Sequence, residues 1–384
     1  MAKFDLVFEG GGAKGMSFVG ALQEFSKAGH TFGRVVGTSA GAITAMLAAA
    51  GYSAEQLLAL CTESVPDTAP NGAPGAMMPV FAGFMDTPLR SSFTSEEIAG
   101  SETSLLMQAA HLPGFLARPL MNLLMRHPLY RELFGFNECG GFYAGDVALE
   151  WIRSTIVKRG MDAAVPWKEF HARTGVDLSV VTTNTSSAEL TVLNHRTAPG
   201  CPVAESVRMS MSIPFVWREM KWKPEWGLYR GRDISGQFFV DGAVLSNFAL
   251  GLFLNTWDPD VIEMMGSVPS GNQVLGLYLD GTTDVPGAAT PQVLTRRPRL
   301  QAANRVTRLI DTLTDNRDLA VERENEKLIC RIPVGGYGLT EFRMSAERQQ
   351  LLIASGADAM RKYLGTPTST VVTTPHLVTS SQGE

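Results

Sequence analysis

Within its opening stretch the chain twice runs from a short apolar strand through a glycine turn into a helix, and this repeat restricts the fold more than any other feature. Phe4-Asp5-Leu6-Val7-Phe8-Glu9 is brief, apolar and stopped by Gly10, Gly11 and Gly12, which reads as a buried strand ending in a tight turn. A helix follows, with Phe18, Val19, Leu22 and Phe25 at helical spacing and Gly29 as its stop. Val35-Val36 then mark the end of a second strand, and Gly37-Thr38-Ser39-Ala40-Gly41 leads into a small-residue helix through Ala50. Alternation of this kind predicts an α/β fold with a mainly parallel central sheet, its functional groups displayed beyond the carboxyl ends of the strands.

The alternation returns further on. Asp146 is expected to cap a helix running through Trp151 and Ile152 to Gly160, and strands are predicted over 176–182, 238–240, 274–279 and 328–332. Helices are predicted over 201–212 and 346–364, the second with Gly356 as a weak point. A single domain over 1–365 accounts for these elements, and the Ser-, Thr- and Pro-rich tail 366–384 is expected to be poorly ordered. The segment 66–136 breaks the pattern, with Met77, Met78, Met85, Met107, Met121 and Met125 among prolines, glycines and apolar residues. Short helices that cap the core are one reading of it; a lid or membrane-docking insertion of adaptable thioethers beside the site is the sharper one.

A chain of 384 residues with 45% hydrophobic content can bury a sizeable core, and its formal net charge of −5 argues against nucleic acid as a partner. The four cysteines, Cys61, Cys139, Cys201 and Cys330, are far apart and lack metal-ligand spacing, so they are expected to be reduced thiols of a cytoplasmic protein. The amino terminus enters the first strand without a signal-like apolar run, and no uncharged apolar stretch of about 18 residues occurs. Membrane contact is therefore expected to be peripheral.

Gly37-Thr38-Ser39-Ala40-Gly41 has the Gly-X-Ser-X-Gly form of a nucleophile elbow, whose small flanking residues let a strand turn sharply into a helix and present the serine hydroxyl. Gly10-Gly11-Gly12-Ala13-Lys14-Gly15 satisfies Gly-X-Gly-X-X-Gly, yet the second strand ends without the carboxylate that a dinucleotide ribose needs. An anion-binding nest of backbone N–H groups, suited to a tetrahedral oxyanion, is the better reading. A serine needs a base. Of the histidines, only His376 follows the late aspartates, in the tail, and His30, His111, His127, His171 and His195 read as surface or core residues. Asp241, at the end of Phe238-Phe239-Val240 and followed by Gly242, is a candidate base; Asp280 in Leu277-Tyr278-Leu279-Asp280-Gly281 has similar local form.

Taken together, these motifs resemble the patatin-like phospholipase family over most of the chain. Its glycine-rich oxyanion motif matches Gly10 to Gly15, its nucleophile elbow Gly37 to Gly41, and its Asp-Gly-Gly/Ala motif Asp241 to Ala243, which separates Asp241 from Asp280. Further similarity lies in 175–184 and in 206–214. The resemblance implies a three-layer sandwich with a helical lid-like insertion, and a Ser39–Asp241 dyad with Gly10, Gly11 and Gly12 as the oxyanion hole. It also implies cleavage of phospholipid or other acyl-ester substrates without a cofactor or a metal at the dyad. Lys14, in the family's basic position, is expected to pair with a neighbouring acid or stiffen the turn rather than touch a lipid phosphate. Acyl transfer, neutral-lipid hydrolysis and non-catalytic lipid binding are the alternatives, and a homo-oligomer is compatible with all of them. One departure is Phe215 in Ser212-Ile213-Pro214-Phe215, where glycine is more usual in the family.

Overall fold

A computed structural model of the chain describes residues 2–68, 74–84, 119–121, 123–267, 269, 271–288 and 323–365. The described elements begin with β1 (Lys3–Phe8), α1 (Ser17–Lys27), β2 (Thr31–Thr38), α2 (Ala40–Ala49) and α3 (Ala54–Thr62). A small hairpin, β3 (Ser64–Thr68) and β4 (Pro74–Pro79), leads to α4 (Pro128–Cys139), β5 (Gly141–Tyr143), α5 (Asp146–Lys158) and α6 (Trp167–Thr174). Then come β6 (Asp177–Asn184), β7 (Glu189–Leu193), α7 (Val203–Ser210), β8 (Phe215–Trp217), β9 (Met220–Lys221) and β10 (Phe238–Asp241). The last elements are α8 (Gly251–Leu254), α9 (Pro259–Met265), β11 (Gln273–Asp284), β12 (Ile329–Gly335) and α10 (Ala346–Gly365).

The main sheet has the order β12-β11-β1-β2-β6-β10-β9, with β7 paired to β6 as well. Strands β12, β11, β1, β2 and β6 are parallel to one another, whereas β7 and β10 run antiparallel to β6. The sheet is thus mixed, and its parallel part bears the glycine turn and the elbow. After β1 the chain builds outward through β2 and β6, then returns to add β11 and β12 on the other side of β1. That reversal opens a crevice at the carboxyl ends of the strands, where α/β sheets place ligands.

Strand periodicity divides the core into two faces. Phe4, Leu6 and Phe8 of β1 point with Leu275, Leu277 and Leu279 of β11 into a large cluster roofed by residues of α1, α2, α5, α7 and α10. Val7, Val36 and Val181 point the other way, against Leu252 and Phe253 of α8 and Met264 and Met265 of α9. Burial on both faces is why these strands read as continuous apolar runs rather than alternating ones. The result is helix, sheet and helix in three layers.

Helices α1 and α10 pack at unusually close range through glycine. A Cβ on Gly356 would lie 1.8 Å from the Ser17 carbonyl oxygen, and one on Gly20 would lie 1.9 Å from that of Ile353. Gly356 is therefore a packing requirement rather than a flaw in the helix. Gly356→Ala should lower stability by about 1–3 kcal/mol, although alanine is the better helix former by roughly 1 kcal/mol. A denaturant midpoint that rises instead would show that the two helices can separate at no cost.

Other expectations shift in detail. Asp146 does not cap α5: Gly145, at φ 71°, is the cap residue, and Asp146 occupies the first turn, where it pairs with Arg218 at 2.8 Å. An acid in the first helical turn is favoured by the helix dipole whether or not it caps. All four cysteines are free, and no helix among the described residues is long and apolar enough to cross a membrane. Within 66–136, Phe81 and Phe84 join the main core, whereas Met121 and Met125 bury themselves with Phe134 in a small cluster of their own. Met85, Met107 and the tail 366–384 lie outside the described residues.

Candidate active site

Strand pairing explains how two residues 202 positions apart in sequence become neighbours. Along one edge of β6, β2 pairs with residues 177–181 and β10 with residues 182–184, because β7 holds the opposite edge from 180 to 184. Strands β2 and β10 therefore run head to head. Thr38 lies opposite Val181 and Asp241 opposite Thr182, so the residue after Thr38 emerges beside the Asp241 carboxyl.

Ser39 occupies this corner at φ 53° and ψ −120°, a conformation that costs a non-glycine residue about 1–3 kcal/mol. Its amide donates to Ser210 Oγ at 2.8 Å, and Ser210 Oγ donates in turn to the Val181 carbonyl at 2.6 Å, so α7 and β6 hold the corner in place. The flanking glycines permit the approach: a Cβ on Gly37 would lie 2.3 Å from the Gly41 carbonyl oxygen, and one on Gly41 2.4 Å from that of Phe8. Helix α2 starts immediately after Ser39, with its amino-terminal amides turned towards the site.

The Asp241 carboxyl is 1% exposed. Its Oδ1 accepts the Ala243 amide at 2.9 Å, and its own amide donates to the Ser212 carbonyl at 2.9 Å. Burial pushes its pKa up to about 7, against the opposing pull of the Ser39 hydroxyl and the Ala243 amide. The hydroxyl is thus near enough to bias the acid, yet Oδ2 makes no hydrogen bond of normal length and angle. Gly242 fits here because a Cβ would lie 2.4 Å from the Val181 carbonyl oxygen. Asp280, its rival by sequence, is differently employed. Burial raises its pKa, but bonds from Thr282 and Thr283, with Arg331 nearby, hold it below its ordinary value.

The glycine turn also departs from expectation. The Gly10 amide donates to the Asn247 carbonyl at 3.0 Å, so it is already engaged, while the Gly11 and Gly12 amides have no such bond among the described residues. The reason is a buried bracket that the sequence did not announce. Asn247 Nδ2 donates to Glu9 Oε1 at 3.0 Å and to the Gly10 carbonyl at 3.2 Å, and Glu9 Oε2 accepts the Leu279 amide. Gly12, at φ 53°, leaves no room for a side chain, since a Cβ would lie 2.2 Å from the Leu339 carbonyl oxygen. Gly15 packs on Ala40 at the start of α2, where a Cβ would lie 2.7 Å from the Ala40 Cβ. The Lys14 side chain, expected to pair with an acid or stiffen the turn, makes no ion pair among the described residues and lines a pocket.

Two cavities meet at Ser39. One, of roughly 640 Å³, is walled by apolar residues including Val19, Leu47, Phe81, Phe84 and Trp217. The other, of roughly 530 Å³, contains Glu9, Lys14, Asp241 and Asn247. Among the described residues, Ser39 alone lines both. No histidine among the described residues lines either cavity; His171 and His195 stack on each other at 3.8 Å near Asp177, at the opposite end of β6.

The family model for patatin-like phospholipases matches residues 6–254. The chain belongs to the patatin-like phospholipase family. In general terms this makes it a lipid hydrolase. The matched stretch holds the glycine turn, Ser39 and Asp241, while β11, β12 and α10 lie beyond it and complete the same sheet and core. The uncharacterized protein YqhO of Bacillus subtilis is 26% identical over 370 residues, covering 94% of this chain and 97% of its own.

Among solved structures, VipD from Legionella pneumophila is 17% identical with a TM-score of 0.43, and the type III effector protein ExoU is 16% identical, also at 0.43. ExoU has also been solved in a heterodimeric complex with SpcU from Pseudomonas aeruginosa. These comparisons cover 94% and 95% of this patatin-like chain, but it spans just 66% of the VipD chain and 53% of the ExoU chain.

Two supporting groups within this patatin-like site had escaped the sequence reading. Arg208, 1% exposed, donates to Ser212 Oγ and to the Ala144 and Gly145 carbonyls, and Ser212 presents its own carbonyl to the Asp241 amide. Ser210 and Arg208 both fall in 206–214, the stretch already noted as family-like; a polar pattern in a buried helix was the available signal. Glu9 and Asn247 carried no comparable mark.

Proposed function

We propose that the protein is a glycerolipid acyl hydrolase of phospholipase A or lysophospholipase type, working through Ser39 and Asp241. The observation that carries this reading is the position of Ser39 as the shared wall of an apolar cleft and a polar pocket, with a buried carboxyl at its side. A lipid ester has the same division: an apolar chain on the carbonyl side and a polar alcohol on the leaving side. The acyl chain enters the cleft, and the glycerol and head group enter the polar pocket. The Lys14 ammonium, which has no ion-pair partner among the described residues, favours an anionic head group there.

In the first half-reaction Ser39 Oγ attacks the ester carbonyl carbon and gives its proton to Asp241 Oδ2. The carbonyl oxygen becomes an oxyanion that accepts the Gly11 and Gly12 amides, donors worth about 2.7–4 kcal/mol each. The C–O bond to the alcohol then breaks, and Asp241 returns the proton to the departing oxygen. Water repeats the sequence on the acyl-enzyme, losing its proton to Asp241 and releasing the fatty acid. The loose contact between Ser39 and Asp241 suits this role, because catalytic hydrogen bonds in unliganded sites often tighten when substrate arrives. Peripheral contact with a lipid surface belongs to the same reading, since such substrates are drawn from aggregates.

Incubation with phospholipid vesicles, lysophospholipid micelles and triacylglycerol emulsion, followed by fatty-acid analysis, tests the proposal. Free fatty acid from the phosphate-bearing lipids is the expected product. Release from triacylglycerol alone would reassign the enzyme to neutral lipids, acyl groups appearing only on an added alcohol would make it a transferase, and binding without cleavage would remove it from the enzymes.

A further inference from the structure

Beside the polar pocket the backbone carries a second unusual conformation. Phe215 sits at φ 65°, and it directly follows Ile213 and Pro214, which line that pocket. Its main chain needs no side chain to hold it: the amide donates to the Gly140 carbonyl at 2.8 Å, and the residue pairs with Gly141 where β8 meets β5. Glycine would meet both demands without strain. The ring, however, lies 5.8 Å from that of Phe136, which stacks on Phe142 at 4.6 Å, and it remains 38% exposed. Three partly exposed aromatic rings thus sit together, beginning at the residue that follows the Ile213-Pro214 lining of the pocket. Strained non-glycine conformations retained next to a site indicate a side chain with work to do there.

The lining of the pocket itself is mixed: Glu9, Lys14 and Asn247 are polar, whereas Ile213, Pro214 and Val244 are apolar. On the hydrolase reading above, an ester whose acyl chain fills the apolar cleft must send its whole leaving group into this pocket. A single-chain lipid sends glycerol and a head group, which the polar residues suit. A two-chain lipid sends a second hydrocarbon chain as well, attached at the neighbouring carbon, and that chain has favourable contacts only with the apolar residues. We infer that Phe215, beside the stacked pair Phe136 and Phe142, is a specificity ledge that receives the uncleaved acyl chain of a two-chain glycerolipid.

The test compares two phosphocholine esters with the same short acyl group, one with two chains and one with a single chain, both below the concentration at which they aggregate. The expected result is a fall of about tenfold in the two-chain to one-chain ratio of kcat/KM for Phe215→Gly, equivalent to about 1.4 kcal/mol. Phe136→Leu, which removes the ring under Phe215 without touching the strained backbone, should lower the ratio in the same direction. An unchanged ratio would overturn the ledge, as would a deficit that emerges only with vesicles, which would assign these rings to surface contact. Wild-type protein that cleaves neither ester would bring down the hydrolase reading and the ledge with it. Wild-type turnover with an unmoved ratio brings down the ledge alone.

Discussion

Ser39→Ala is expected to reduce fatty-acid release by roughly a millionfold, the scale on which loss of a serine nucleophile is felt when the rest of the site stands. The substitution deletes one oxygen from a residue that is 4% exposed, and it leaves the Ser39 amide bond to Ser210 untouched. Folding should therefore be preserved, and the thermal midpoint should move by no more than a few degrees. Covalent labelling by a fluorophosphonate should vanish together with turnover, because both reactions need the hydroxyl. Residual hydrolysis of a few per cent in a well-folded variant would mean that Asp241 activates water directly, and the acyl-enzyme route would have to be abandoned.

Asp241→Asn should move activity and stability in opposite directions. As the proposed base, the carboxylate is expected to supply about 10²- to 10⁴-fold in rate, and the amide cannot accept a proton. In wild-type protein kcat/KM should climb with pH through about 7, where the buried carboxyl loses its proton, and this inflection should be absent from the variant's residual rate.

Stability follows from the same shift. The carboxyl titrates near 3.8 when exposed and near 7 when folded, so between these values the native chain holds a proton that the unfolded chain has released. Its contribution to stability is fully present below pH 3.8, is lost progressively as pH rises to 7, and is level above that. The loss amounts to roughly 4 kcal/mol, and Asp241→Asn should recover much of it at pH 8 but little at pH 4. Chemical denaturation of both proteins at the two pH values measures this directly. Equal stabilities at pH 8 would show that the folded carboxyl titrates normally and would remove its qualification as a base at neutral pH. On this reading the site should be most active where this residue most weakens the fold, a familiar exchange between function and stability.

The strands and helices of the parallel half were readable because each is marked locally. β1, β2 and β11 are apolar runs closed by glycine, and the elbow and the glycine turn have short-range steric requirements that few residues meet. β5, β7, β8 and β9 carry no such local mark, being short and partly polar, and β5 and β8 owe their pairing to each other across some seventy residues. Strand propensity is a weak guide in such places, since pairing and burial decide the outcome. Lys14 and Gly10 show the same limit within the site. Whether a lysine finds an acid, or an amide finds an acceptor, depends on what the other end of the molecule delivers: here Asn247 reaches Gly10, while among the described residues no acid reaches Lys14.

By itself, the sequence determined the candidate groups and their local stages: a serine at a strand-to-helix corner, amides in a glycine turn and an acid at a strand end. Short-range sterics and hydrogen bonding are encoded in a few adjacent residues, so no partner was needed to read them. The tertiary structure alone decided that β10 would meet β2 end to end along β6, that Asp241 would be dry enough to titrate near 7, and that Asn247 would claim the Gly10 amide. Those outcomes arise from register and desolvation, which are properties of the whole packed sheet and have no counterpart in any single stretch of chain.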